Sequence, residues 1–151
     1  MLTPDIKKYI NQSVLCWLAT ASAQGEPSVS PKEIFTLSAD DQLLIANIAS
    51  PKSVQNILAN PSVCVSFIDI LVQKGYQLYG HASVITPDHP QFEALAAPLK
   101  LMAGQLFPIK SVIVVDVQNA LPIIAPKYRL YPDTKETDQI ESALKTYKIK
   151  V

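Results

Sequence analysis

This sequence predicts a mainly β domain of the α+β class, a small barrel of six or so mostly antiparallel strands with helices at its periphery. Three observations carry that reading. Short apolar runs rich in β-branched and aromatic residues recur along the chain between turn signals. The second and third runs lie too close in sequence for a crossover helix, so they must pair antiparallel, which argues against a doubly wound parallel sheet. Twelve prolines, many at the edges of runs, cut the 151 residues into short pieces.

The elements follow in order. Thr3-Pro4-Asp5 opens a short helix that runs through about Gln12, with Thr3 as its N-cap. Residues 14–20 form a first strand, and residues 22–27, with Gly25, a turn. Residues 29–37 form a second strand, whose partner at 42–48 follows the Ser38-Ala39-Asp40-Asp41 turn. Ser50 as N-cap and Pro51 at the first helical position start a helix with Val54, Ile57 and Leu58 on one face, and Asn60-Pro61 ends it. Residues 63–68 give a fourth strand and residues 76–85 a longer fifth one, where Gly80 marks a sharp bend or a close backbone approach. Residues 88–102 read as helical despite Pro98, with Phe92, Leu95, Ala96 and Leu99 along one side. Residues 111–117 are the most β-branched run and form a central strand. An irregular, Pro-spaced segment through Pro132 leads into a polar helix over residues 133–147.

Composition bounds the function. A chain of 151 residues fits a single domain over 1–151. Thirteen basic and thirteen acidic residues cancel, so no global field points to nucleic acid or a membrane surface. With 48% hydrophobic and only 17% charged residues, the chain has apolar surface to spare, which favours a subunit interface. No apolar run reaches the length of a membrane span, and the start of the sequence lacks a basic-then-apolar signal, so a cytoplasmic protein is expected. Cys16 and Cys64 lie inside strand-like runs without metal spacing and read as buried, reduced thiols. Trp17 reads as core or interface packing, and His81 and His89 show no ligand pattern.

One stretch singles itself out chemically. Where the strand over 42–48 feeds directly into the capped helix, free backbone N–H groups converge on one point. Lys52 and Ser53 sit in that first turn, where the macrodipole is positive. A lysine there is unfavourable unless something negative offsets it, and a bound phosphate is the leading explanation.

Gly25-Glu-Pro-Ser-Val-Ser-Pro-Lys32, Leu44-Ile-Ala-Asn-Ile-Ala-Ser-Pro-Lys-Ser53 and Asn56-Ile-Leu-Ala-Asn-Pro61, in that order, resemble the pyridoxamine 5′-phosphate oxidase-like family of FMN-binding split β-barrels. The resemblance covers roughly residues 3–118 and implies a homodimer with FMN at the subunit interface. It makes Lys32 and Lys52 phosphate ligands, with hydroxyls from Ser50 and Ser53. Backbone around Ser30, Ala46 and Asn47 would face the ribityl chain and ring, and Gln77 would reach the flavin across the dimer. The departures are specific. Family oxidases carry arginines where this chain has Pro27 and Pro51, and their late Arg and His have no counterpart beyond the basic pair Lys127 and Arg129. Those departures argue against vitamin B6 oxidation. The expectation is an FMN-dependent oxidoreductase with no side chain marked as general acid or base, reduced by a nicotinamide or deazaflavin donor. The alternatives are a non-enzymatic module that stores FMN or senses redox state, or the same fold holding haem or a deazaflavin.

Overall fold

A computed structural model describes residues 2–151. Its elements are α1 (Pro4–Gln12), β1 (Cys16–Ala21), β2 (Pro27–Lys32), β3 (Phe35–Leu37), β4 (Leu43–Asn47), α2 (Pro51–Ala59), β5 (Ser62–Asp69), β6 (Lys74–Ile85), α3 (Phe92–Ala103), β7 (Ser111–Ile124), α4 (Pro126–Leu130) and α5 (Glu136–Thr146). The seven strands form one sheet in the order β2-β1-β5-β6-β7-β4-β3, and every pairing is antiparallel. The first and last strands in that order, β2 and β3, are consecutive in the chain. Only Glu33 and Ile34 separate them, so the sheet has to curl until its two edges meet. The edges are joined covalently but do not pair with each other, which makes the barrel split.

This geometry corrects the expected second strand. Residues 29–37 do not form one strand. They break at Glu33-Ile34 into β2, which pairs with β1, and β3, which pairs with β4. An inward-facing β2 cannot continue into β3 without turning the barrel corner, and apolar patterning does not report a corner. The C-terminal third departs further. β7 continues through the Pro-spaced stretch to Ile124 because Ala120 to Ile124 pair along the start of β6, and α4 occupies the remainder. The expected helices over 88–102 and 133–147 begin later, at Phe92 and Glu136.

Two apolar clusters flank β4 and β7. Inside the barrel, Leu18, Leu43, Ile45, Phe67, Leu78, Ile113 and Val115 pack together, joined by Ile6, Tyr9 and Ile10 of α1. Outside it, Leu44, Ala46, Val112 and Val114 are covered by Phe92, Ala96 and Leu99 of α3. β4 is therefore buried on both faces at all five positions. Thr3 caps α1 as expected, accepting from the Ile6 N–H at 3.3 Å. At Gly80 the β6–β7 register shifts, and a Cβ there would stand 2.1 Å from the Asp116 carbonyl oxygen, so the close approach expected at this glycine is real. Both thiols are free, Cys16 fully buried and Cys64 half-buried. Among the described residues no helix is long and apolar enough to cross a membrane.

Candidate functional site

The site grows from the inward face of an edge strand. β2 alternates, turning Pro27, Val29 and Pro31 outward and Ser28, Ser30 and Lys32 inward. Its inward row is polar because α2 lies against it, and the buried Asn56 amide of α2 donates to Thr20 Oγ1 on β1 at 3.0 Å. At the end of this row Lys32 is 6% exposed. Its Nζ donates to Ser30 Oγ at 2.6 Å and to Ser50 Oγ at 2.7 Å. Neither partner carries charge, and none of the ion pairs among the described residues includes Lys32. Burial holds its pKa below the ordinary lysine value, while the neighbouring Cys16 acts in the opposite sense. That thiol is no counterion, since its own burial pushes it up to about 12. A desolvated ammonium hydrogen-bonded only to hydroxyls leaves a positive field that an anion would satisfy.

The helix start supplies the second half. Ser50 takes the N-cap position of α2 as expected, but its side chain makes no capping bond because its hydroxyl is turned to Lys32. Asn47 fixes this corner instead. Its Oδ1 accepts from the Ser50 N–H at 3.0 Å, and its Nδ2 donates to Ser111 Oγ at 2.8 Å. Pro51 has no N–H, and the Val54 N–H is bonded to Ser50 O at 3.2 Å. The N–H groups of Lys52 and Ser53 have no backbone acceptor among the described residues and remain for a ligand. Pro31, Lys32, Glu33, Ile34, Ala46, Ile48, Ala49, Ser50 and Phe107 line a cavity of about 270 Å³ beside them.

The structure thus brings Ser30, Lys32, Ala46, Asn47, Ser50 and the buried Ser53 to one corner. Lys52 stands in the first turn of α2 but is exposed and does not line the cavity. Leu58 is 73% exposed, and Asn56 takes the inward position expected of it. Gln77 lies elsewhere. It faces outward on β6 between Ser66 and Leu121, three strands from β2 and so roughly 14 Å away, and its Oε1 accepts from the Tyr79 hydroxyl at 3.3 Å. His81 contacts Gln118, His89 accepts from the Gln91 N–H, and neither lines the cavity. Lys127 and Arg129 on α4 do not line it either. Glu33 and Phe107 do, and sequence reading missed both. The exposed apolar run Leu106-Phe107 after Gly104 is the signal that points to the latter.

The family model for pyridoxamine 5′-phosphate oxidase matches residues 2–122. The chain belongs to that family. The match spans the whole corner and all seven strand starts, and stops near the end of β7. Among solved structures, HupZ of Group A Streptococcus is 26% identical with a TM-score of 0.71, covering 83% of this chain and 96% of that one. An FMN-binding protein of Syntrophomonas wolfei is 17% identical at TM-score 0.66, covering 78% of this chain and 82% of that one. HutZ, the heme storage protein from Vibrio cholerae, is 22% identical at TM-score 0.62, covering 80% and 93%. The last two establish likeness of fold alone. No curated protein matches the chain. The pyridoxamine 5′-phosphate oxidase family therefore supplies a scaffold shared by differently named proteins, and the corner residues have to carry any choice among ligands.

Proposed function

We infer that this chain is an FMN-binding flavoprotein that works as an oxidoreductase. The single observation that carries the reading is Lys32, buried and held by two hydroxyls with no acidic partner. A phosphate monoester dianion fits that ammonium, the two free N–H groups of α2 and the nearby Lys52. Two cations and a helix start suffice for a dianion without the arginines that Pro27 and Pro51 replace. FMN supplies hydride transfer when bound; this chain's residues bind its phosphate and orient it. Nicotinamide or deazaflavin cofactors are the donors to try first.

A cavity of about 270 Å³ is too small to enclose a whole FMN molecule, so part of the cofactor must lie beyond it. A homodimer supplies the remaining wall. The outward face of β1, β2 and β7 carries Trp17, Val29 and Leu121 at 47%, 61% and 47% exposure, apolar side chains that a partner subunit would cover. Gln77 lies in the same cross-strand row as Trp17 and Leu121, so on this reading it serves the partner subunit's flavin.

A visible spectrum of the purified protein after addition of FMN and removal of excess tests the cofactor. Retained flavin bands that vanish in Lys32→Ala, Lys52→Ala support it; a colourless wild type refutes it. Light scattering tests the assembly, with a dimer expected for the wild type and a monomer for Trp17→Glu. Reduction of bound FMN by NADH, NADPH or a reduced deazaflavin, faster than that of free FMN, separates an enzyme from a storage module.

A further inference from the structure

A second cleft opens next to the anion corner and is not used by it. It has a volume of about 560 Å³, room for a ring-bearing organic molecule, and lies between the C-terminal ends of α1 and α3. Glu33, Ile34 and Phe107 line both cavities, so the two adjoin. They differ in charge. The smaller cavity sets the Lys32 ammonium beside the Glu33 carboxylate. The walls of the larger one are apolar (Ile10, Val14, Phe35, Met102) or neutral and polar, and Glu33 is its only charged residue, with no cation to offset it. The difference follows from the strand corner: Lys32 is the last inward residue of β2, and Glu33 begins the link that turns toward β3 and is exposed. None of the ion pairs among the described residues includes Glu33.

We propose that this cleft binds the second reactant, a neutral or cationic organic molecule with an apolar body, and that Glu33 excludes phosphorylated and other anionic molecules from it. The proposal rests on the flavin reading for the word reactant, but the selectivity belongs to the cleft alone. A carboxylate at its wall repels an anion and attracts an ammonium. Phe107 and Met102 give the apolar body a surface that adapts to an aromatic ring or an alkyl chain.

Equilibrium dialysis of three probes with one ring system tests this on the whole chain, with and without FMN: 1-naphthylmethylamine, 1-naphthylmethanol and 1-naphthylmethanesulfonate. The amine and the alcohol are expected to bind at least about tenfold more tightly than the sulfonate. Glu33→Lys should reverse the order of amine and sulfonate, and Phe107→Ala should weaken amine and alcohol alike while thermal unfolding stays in place. Equal binding of all three, an order unchanged by Glu33→Lys, or no binding at all would overturn the proposal. So would loss of the probes on loading with FMN, because the flavin would then fill the cleft itself. Flavin retention is read on the same samples, so protein that keeps the probe order but holds no FMN overturns the flavin reading and leaves the selectivity of the cleft standing.

Discussion

β4 and β2 are both short strands near the split of the barrel, yet their environments are opposite. β4 is paired on both sides and buried on both faces at all five residues, between the barrel interior and α3. β2 is an edge strand, paired only with β1, and turns two serines and a lysine inward. One strand holds the fold together and the other leaves polar groups short of charge partners. Stability and ligand binding should therefore separate when the two regions are mutated.

The sharpest way to break that separation is Ile113→Ala. Ile113 is fully buried on β7 directly opposite Ile45 of β4. The truncation should cost about 2–5 kcal/mol in denaturant unfolding, with flavin affinity unchanged as long as the protein is folded. Lys32→Met should do the reverse. It should weaken FMN binding roughly 10- to 100-fold and raise the unfolding midpoint of the FMN-free protein, because an uncompensated buried ammonium is replaced by an apolar side chain. A Lys32→Met protein that is less stable without FMN would mean that the hydroxyl contacts outweigh desolvation.

pH should sharpen the same contrast. Burial lowers the folded-state pKa of Lys32 below its ordinary 10.5, so the unfolded chain binds this proton more strongly than the folded one. The destabilisation is complete below the folded pKa and fades as pH rises toward 10.5. The stability advantage of Lys32→Met should shrink over that alkaline window, measured by urea unfolding at a series of pH values. FMN binding to the wild type should run the other way and weaken as the ammonium is lost. The smallest effect is expected for the exposed Lys52: Lys52→Ala should lower FMN affinity only about two- to fivefold, and less in high salt.

The fold was largely legible in the sequence because most strands are apolar runs ended by turn residues, and because the spacing of residues 29–48 forbids a crossover. What was not legible depends on long-range pairing. Glu33-Ile34 reads as the middle of a strand until the whole sheet curls, and the Pro-spaced residues 118–124 become strand only because β6 extends to meet them. The candidate corner was legible as a motif, since Lys32 and the start of α2 stand out from their order along the chain and the fold brings them together. The roles were not. Ser50 reads as a cap in sequence and takes that position, but its hydroxyl is engaged by the ammonium instead of the helix. Asn47 reads as offering its backbone to a ligand, and its side chain is in addition a bracket between β4, α2 and β7. Glu33 and Phe107 enter the picture only when α3 is packed against the barrel.

That bracket has a consequence for how an anion would be received. The Asn47 carbonyl also accepts from the Lys110 N–H at 2.9 Å, so backbone and side chain together fasten the helix start to the head of the most buried strand pair. The entropy of ordering the corner is spent when the barrel folds rather than when a ligand arrives. Loosening it, as in Asn47→Ala, would slow capture and speed escape without removing a single charge from the site.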